Sequence, residues 1–226
     1  MIGRLLAAIG AIGLLAAVPL RAETTPEKSP TELERAKQAL VDGKPADALE
    51  LVDPIITKAE SDEAKDPAAI CPSAASAFLI AMMGKQGANV SVSVDNDWCD
   101  AMLVRGFALT ELKRFDEAAA TLGKLVKHDP RNANYLCEYA FALRSSGKMD
   151  QAFDTYRQAS NAASLYTDKR TKAHWRAVAL RGMGYIEFDR KNWDKAEKAY
   201  RDSLKAEPGN ALALSELELI KQNRGK

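Results

Sequence analysis

The residue types that most often carry chemistry are sparse in this chain of 226 residues. Its two histidines, His128 and His174, have neither a second histidine nor a cysteine at the spacing of metal ligands. The serine-rich stretches lack the Gly-x-Ser-x-Gly turn of serine hydrolases, and no glycine pattern matches a phosphate-binding loop. Carboxylate pairs such as Asp150 and Asp154 are typical of a solvated helix face. We therefore expect a protein that is not an enzyme and that uses neither a metal nor another cofactor.

The three cysteines have a different use, as a disulfide. Cys71 and Cys99 flank a loop-rich segment, and a bridge between them would stabilise the fold by roughly 3–4 kcal/mol through restriction of the unfolded chain. A Cys99–Cys137 bridge is a second possibility, and all three could instead be small buried hydrophobic side chains. An oxidising compartment favours the Cys71–Cys99 bridge. No C-x-x-C pair supports thiol redox chemistry.

The first residues indicate such a compartment. Residues 1–22 combine an early basic residue, Arg4, with an uncharged and mostly apolar stretch up to Leu20 and a small residue at Ala22. This pattern is typical of a secretory signal peptide cleaved after Ala22. An uncleaved anchor in the inner membrane is the alternative, although a membrane span needs roughly 20 apolar residues. We expect a periplasmic protein in which residues 23–30 form a flexible lead-in.

Small residues recur at a fixed spacing through the rest of the chain. Gly106 and Ala140 are 34 residues apart, and Gly184 follows after a further 44. Each of the three is followed twelve residues later by an alanine, at Ala118, Ala152 and Ala196. Small residues at these places let two helices cross closely. The pattern resembles the tetratricopeptide repeat family, whose helix–turn–helix unit has about 34 residues.

The resemblance implies an all-α, right-handed helical solenoid in an exported bacterial member of that family. Full repeats are expected at residues 99–132, 133–166 and 175–208, with ten extra residues in the connection between the last two. Residues 31–60 resemble a degenerate pair of helices, in which Pro54 interrupts the second helix. Residues 61–98 predict an irregular insert with one helix. Residues 210–224 predict a capping helix, which covers the apolar face of the last repeat.

The same resemblance implies a binding surface. In this family the first helices of the units line a concave groove, and the residue after the small position tends to face it. That residue is aromatic in all three repeats, as Phe107, Phe141 and Tyr185. Arg144 and Arg181 lie nearby on the same helices and could hold a carboxylate at the edge. Family members that bind acidic C-terminal peptides place asparagine and basic residues on this surface, a pattern that this chain lacks.

An aromatic row favours an apolar or amphipathic peptide, held by stacking and burial. We therefore expect a non-catalytic scaffold of the cell envelope that binds a protein or peptide partner. The alternatives are a structural protein that self-associates, for example as a homodimer, and an accessory subunit of an envelope enzyme or assembly complex. The net charge of +1 gives no indication of a nucleic-acid partner. No membrane span is expected after cleavage of the signal peptide.

Overall fold

The structure, a computed structural model, describes residues 29–63, Cys71 and residues 96–224. In these residues it contains nine α-helices and one 3₁₀ turn (Ala163–Leu165), and no strand. In chain order the helices are α1 (Glu32–Val41), α2 (Pro45–Glu63), α3 (Asn96–Glu111), α4 (Phe115–His128), α5 (Ala133–Ser145), α6 (Met149–Ala162), α7 (Lys169–Asp189), α8 (Trp193–Ala206) and α9 (Ala211–Arg224). The predicted signal peptide and the helix expected inside the insert lie outside the described residues. The prediction of an all-α fold is confirmed.

The helices form four consecutive pairs followed by α9. Each described helix packs against the next one along the chain, and α2 packs directly against α3 despite the long segment between them. The first helices of neighbouring pairs are also in contact, α1 with α3, α3 with α5 and α5 with α7, whereas the second helices make no comparable contact with one another. The array therefore curves. We call α1, α3, α5 and α7 the inner helices and α2, α4, α6 and α8 the outer helices.

Close helix crossings occur at the small positions that the spacing identified. A Cβ atom on Gly106 would lie 2.5 Å from the Leu122 side chain of the outer helix α4. A Cβ atom on Gly184 would lie 3.0 Å from the Tyr200 ring of α8. Ala140 and the alanines of the outer helices, Ala118, Ala152 and Ala196, are completely buried. These contacts leave no room for a larger side chain. The small residues therefore allow the two helices of each pair to pack at short distance.

One turn geometry joins the two helices of every described pair. Its central residue has a left-handed backbone conformation, with φ values of 71° at Gly43, 60° at Lys113, 81° at Gly147 and 58° at Lys191. The following amide donates to the carbonyl five residues earlier in each pair: Lys44 to Ala39, Arg114 to Leu109, Lys148 to Leu143 and Asn192 to Glu187, at 2.8–2.9 Å. This pattern is the Schellman motif. The N-terminal pair is therefore built like the three pairs that follow it.

The second helix of the N-terminal pair differs from the prediction. We expected Pro54 to interrupt it, but α2 runs without a break as far as Glu63. A proline in a helix removes one backbone hydrogen bond and strains the preceding turn. Val52 and Ile56, one on each side of Pro54, are both buried. Their packing against the neighbouring helices offsets the cost of the proline.

The extra residues before the last pair also differ from the prediction. They do not form a separate connection, because they are divided between the 3₁₀ turn and an early start of α7. This helix has 21 residues and begins at Lys169 rather than at residue 175. Asp168 caps it by accepting a hydrogen bond from the Thr171 amide at 2.7 Å. The additional length therefore extends an inner helix.

A disulfide attaches the segment between α2 and α3 to the first turn of α3. Cys71 and Cys99 are bonded with an S–S distance of 2.11 Å and a Cα–Cα distance of 5.6 Å. Cys137 is a free thiol on α5 and is buried. Burial raises the pKa of the Cys137 thiol, so this side chain is neutral and packs as a small hydrophobic residue.

Candidate functional site

The three aromatic residues predicted to face the groove lie on successive inner helices. Phe107 on α3 and Phe141 on α5 are half-buried, and Tyr185 on α7 is 38 % exposed. Arg144 joins two of them, because its guanidinium carbon lies 4.9 Å from the Phe141 ring centroid and 3.9 Å from that of Tyr185. Within the described residues, Phe107 makes no ring contact with either. The structure therefore brings Phe141, Tyr185 and Arg144 together and leaves Phe107 one helix away.

Arg144 is part of the junction between α5 and α7. Its charge is stabilised by the faces of the Phe141 and Tyr185 rings, a cation–π arrangement. Its Nε atom is buried without a hydrogen-bond partner in the described part of the chain. The buried Tyr156 of α6 also interacts with Arg144. Burial raises the pKa of the Tyr156 hydroxyl, and the charge of Arg144 partly offsets this effect. Arg144 therefore has less freedom to bind a ligand carboxylate than the sequence suggested.

Arg181 has an ion-pair partner within the chain. Its guanidinium is 2.5 Å from Glu207 Oε2, and only 14 % of the Arg181 side chain is exposed. Glu207 also lies 3.3 Å from His174 Nδ1 and accepts a hydrogen bond from the Asn210 side chain. Burial acts to raise the pKa of Glu207, but the hydrogen bonds from Arg181 and His174 hold it below its ordinary value. The positive charge of Arg181 is therefore neutralised by the connection between α8 and α9.

The repeat spacing continues beyond the last predicted repeat, a feature that was not predicted from the sequence. Leu219 on α9 lies 34 residues after Tyr185. The cap packs on the last pair through Ala213 and Ile220, while Leu219 remains 41 % exposed and Leu212 remains 57 % exposed. α9 thus covers the end of the last pair and keeps part of its own apolar surface open, although Glu218 stands at its small position and it makes no contact with α7 comparable to those between the inner helices. We call Phe107, Phe141, Tyr185 and Leu219 the inner row.

A carboxylate lies one helical turn from each member of the inner row, on the same helix. These flanking acids are Glu111, Glu138, Asp189 and Glu216. None of them forms an ion pair in the region that the structure describes. Burial raises the pKa of Glu138 to about 7. Burial also raises the pKa of Glu216, although a hydrogen bond from Tyr200 acts in the opposite direction. The inner row is therefore apolar and bordered by carboxyl groups that lack an ion pair among the described residues, while Arg144 contributes one positive charge between Phe141 and Tyr185.

The described residues form neither a metal-binding cluster nor a membrane-spanning helix. No three side chains of histidine, cysteine, aspartate or glutamate in residues 29–63, 71 and 96–224 are grouped so that they could hold a metal ion. None of the helices in those ranges combines the length and the apolar character that crossing a bilayer requires.

Comparison with known proteins agrees with this geometry. Residues 100–132, which span α3 and α4, match a family model of the tetratricopeptide repeat. No curated protein sequence is detectably similar to the chain. The matched repeat and the four helix pairs, which share one turn geometry, define a tetratricopeptide-repeat solenoid.

Solved structures with a similar fold include proteins of quite different sequence. The fold is similar to that of MamA, with a TM-score of 0.55, 16 % identity and 84 % of each chain covered. It is also similar to BtubC from P. vanneervenii, with a TM-score of 0.52 and 14 % identity over 86 % of this chain and 80 % of that one. The first TPR of Spaghetti (RPAP3), bound to the HSP90 peptide SRMEEVD, has a TM-score of 0.50 and 23 % identity over 60 % of this chain and 100 % of its own. At these identities the similarity concerns the fold.

Proposed function

We propose that the protein is a non-catalytic interaction protein of the cell envelope, which holds an apolar or amphipathic segment of a partner protein on the inner side of its solenoid. The inner row is the observation that carries this proposal. It places a large apolar side chain at one repeat position on three successive inner helices and at the next such position on α9. The envelope location rests on the signal-like composition of residues 1–22.

The exposure of the inner row supports a role in binding rather than in folding. Tyr185 and Leu219 remain 38 % and 41 % exposed, whereas Ala140, directly before Phe141, is completely buried. Full burial of such a side chain stabilises a complex by about 1.5–3 kcal/mol relative to full exposure. A partner that covers four partly exposed side chains gains only part of that free energy from each, so it needs further contacts to form a specific complex. Aromatic members of the row add stacking with rings of the partner.

The cations on the inner side of this protein do not suit the kind of peptide that one protein of similar fold binds. The HSP90 peptide bound by the first TPR of Spaghetti contains two glutamates and ends in aspartate. In this chain Arg181 is paired with Glu207, and Arg144 is held between two rings. Since Arg181 is already neutralised by Glu207 and Arg144 is held against two rings, we do not expect an acidic C-terminal peptide as the ligand.

The proposal is tested by removing one ring of the inner row and one matched ring outside it. Phe141→Ala removes a half-buried ring that lies beside Arg144 on an inner helix. Phe153→Ala removes a half-buried ring of the outer helix α6, which lies beside the guanidinium of Arg190. Crosslinking of the purified chain to an envelope extract, followed by quantitative mass spectrometry, measures partner capture. We expect at least a tenfold loss for Phe141→Ala and full capture by Phe153→Ala, with similar melting temperatures.

Equal capture by both variants would reject the inner row as the binding surface. A large loss of melting temperature confined to Phe141→Ala would instead show that this ring is part of the core.

The exposed leucines of α9 favour a second candidate function, self-association. Leu212, Leu214 and Leu219 are 57 %, 51 % and 41 % exposed. Apolar side chains grouped on a terminal helix are typical of an interface between two copies. Light scattering coupled to size exclusion over a hundredfold range of concentration distinguishes the two functions. A monomer at every concentration would exclude self-association.

A further inference from the structure

We propose that the segment bound on the inner side is cationic as well as apolar, with lysine or arginine side chains placed against the flanking acids. This inference rests on the proposed function, because it assigns a charge to the ligand of the same surface. The partner is a separate polypeptide, in which apolar residues contact the inner row and basic residues alternate with them.

The position of the flanking acids supports this assignment. Glu138 lies three residues before Phe141, and Asp189 lies four residues after Tyr185. Residues three or four apart on a helix share one face, so each acid borders the row on its own helix. Neighbouring packed helices are about 8–10 Å apart. An extended chain covers that distance with about three residues. A segment that crosses the row therefore passes from one inner helix to the next about every third residue, and the carboxylates lie alternately on its two sides.

The internal salt bridges show why a partner is needed to neutralise these carboxylates. Several acids elsewhere on the solenoid are paired between helices, as Asp100 is with Lys37 at 2.6 Å between α1 and α3. Asp53 of α2 is likewise paired with Arg105 of α3 at 3.0 Å. The flanking acids have no such ion pair among the described residues, and two cations of the inner helices have other contacts, since Arg181 is bound to Glu207 and Arg144 lies against the rings of Phe141 and Tyr185. The negative charge is therefore left for a ligand.

Glu138 is the flanking acid on which a cation has most effect. Its carboxyl is half-buried on α5, one turn from Phe141, and no cation of the described residues forms an ion pair with it. Burial disfavours its charged form, which raises its pKa. A lysine or arginine of the partner that reaches this carboxyl would restore the charged form and gain a charge-assisted hydrogen bond. The interaction is strengthened because the site is partly shielded from water.

A random library of twelve-residue peptides, displayed on phage and selected on the purified chain, tests the inference. We expect the selected peptides to be enriched in apolar residues together with lysine and arginine. On the Glu138→Gln variant the basic excess should fall while the apolar preference persists. The best peptide from the wild-type selection should bind Glu138→Gln about tenfold more weakly. Glu50→Gln, which alters an exposed acid of the outer helix α2, is the matched control and should change neither result.

The outcomes separate this inference from the proposed function. Enrichment of acidic residues would overturn the charge assignment and leave the binding surface in place. A basic excess that persists unchanged on Glu138→Gln would overturn it as well. If the library selection is the same on Phe141→Ala as on the wild type, or if no peptide is selected, the proposed function fails and this inference fails with it.

Discussion

Glu138 should make the folded protein less stable as the pH rises. Burial raises the pKa of this carboxyl from an ordinary value of 4.5 to about 7. The folded protein therefore binds the proton more tightly than the unfolded chain does. By linkage, the stabilising contribution of Glu138 is complete below about pH 4.5 and is lost as the pH rises through about 7. The effect is opposite to that of a carboxylate in a salt bridge.

The magnitude follows from the gap between the two pKa values, which is about 2.5. At about 1.36 kcal/mol for each pKa unit, the charged form costs the folded state about 3 kcal/mol at pH 8. Glutamine has nearly the same shape and carries no charge at any pH. Glu138→Gln should therefore stabilise the protein by up to about 3 kcal/mol at pH 8 and by almost nothing at pH 4.

Urea unfolding followed by circular dichroism at pH 4 and pH 8 measures the difference between variant and wild type at each pH. Glu111→Gln removes an exposed acid from the neighbouring inner helix and should change the free energy of unfolding by less than about 0.5 kcal/mol at both. If Glu138→Gln shifts stability equally at pH 4 and pH 8, the carboxyl does not sit in an environment that disfavours its charge. The reasoning about its burial would then be wrong.

Two further predictions concern the packing of the solenoid. Lys113→Gly should stabilise the protein by about 0.5–1 kcal/mol and Gly147→Lys should destabilise it by about 1 kcal/mol. Both residues occupy the left-handed position of the same turn geometry, with φ of 60° and 81°. Thermal unfolding of the two variants measures both changes in stability. Destabilisation by Lys113→Gly together with stabilisation by Gly147→Lys would contradict the common turn. Gly182→Ala should cost about 1–3 kcal/mol, because its Cβ atom would lie 2.3 Å from the Tyr156 ring. Gly123→Ala, whose Cβ atom would have its nearest contact at 3.3 Å, should leave the thermal stability almost unchanged. Equal stability of the two alanine variants would contradict the tight crossing at Gly182.

Much of the fold could be predicted from the sequence, because close helix crossings require small residues at regular intervals. The spacing of Gly106, Ala140 and Gly184 was enough to locate the inner helices that carry them. The two lysine turns were missed, since Lys113 and Lys191 stand where the other pairs have glycine. These turns form because the helices on both sides are held by packing, which offsets the strain at a residue other than glycine. The continuation of α2 through Pro54 has the same kind of cause.

The binding surface was predicted only in part. The spacing placed Phe107, Phe141 and Tyr185 at one position, and the same spacing extended to Leu219 would have added the fourth member of the inner row. The flanking acids were also present in the sequence, three residues before or four residues after the members of the row. Their significance was not apparent, because most acids on a helical surface have a basic partner and the sequence does not show which ones lack it.

The sequence by itself determined which residues of this protein are equivalent, because a repeat length is a property of the chain alone. Only the tertiary structure decided which charges remain available. Arg181 meets Glu207 across 26 residues of chain. Arg144 lies between a ring of its own helix and a ring of the next inner helix. Whether a charge is neutralised depends on partners that folding brings close from distant positions in the chain. The spacing of residues along the chain does not specify how close two such residues lie in space.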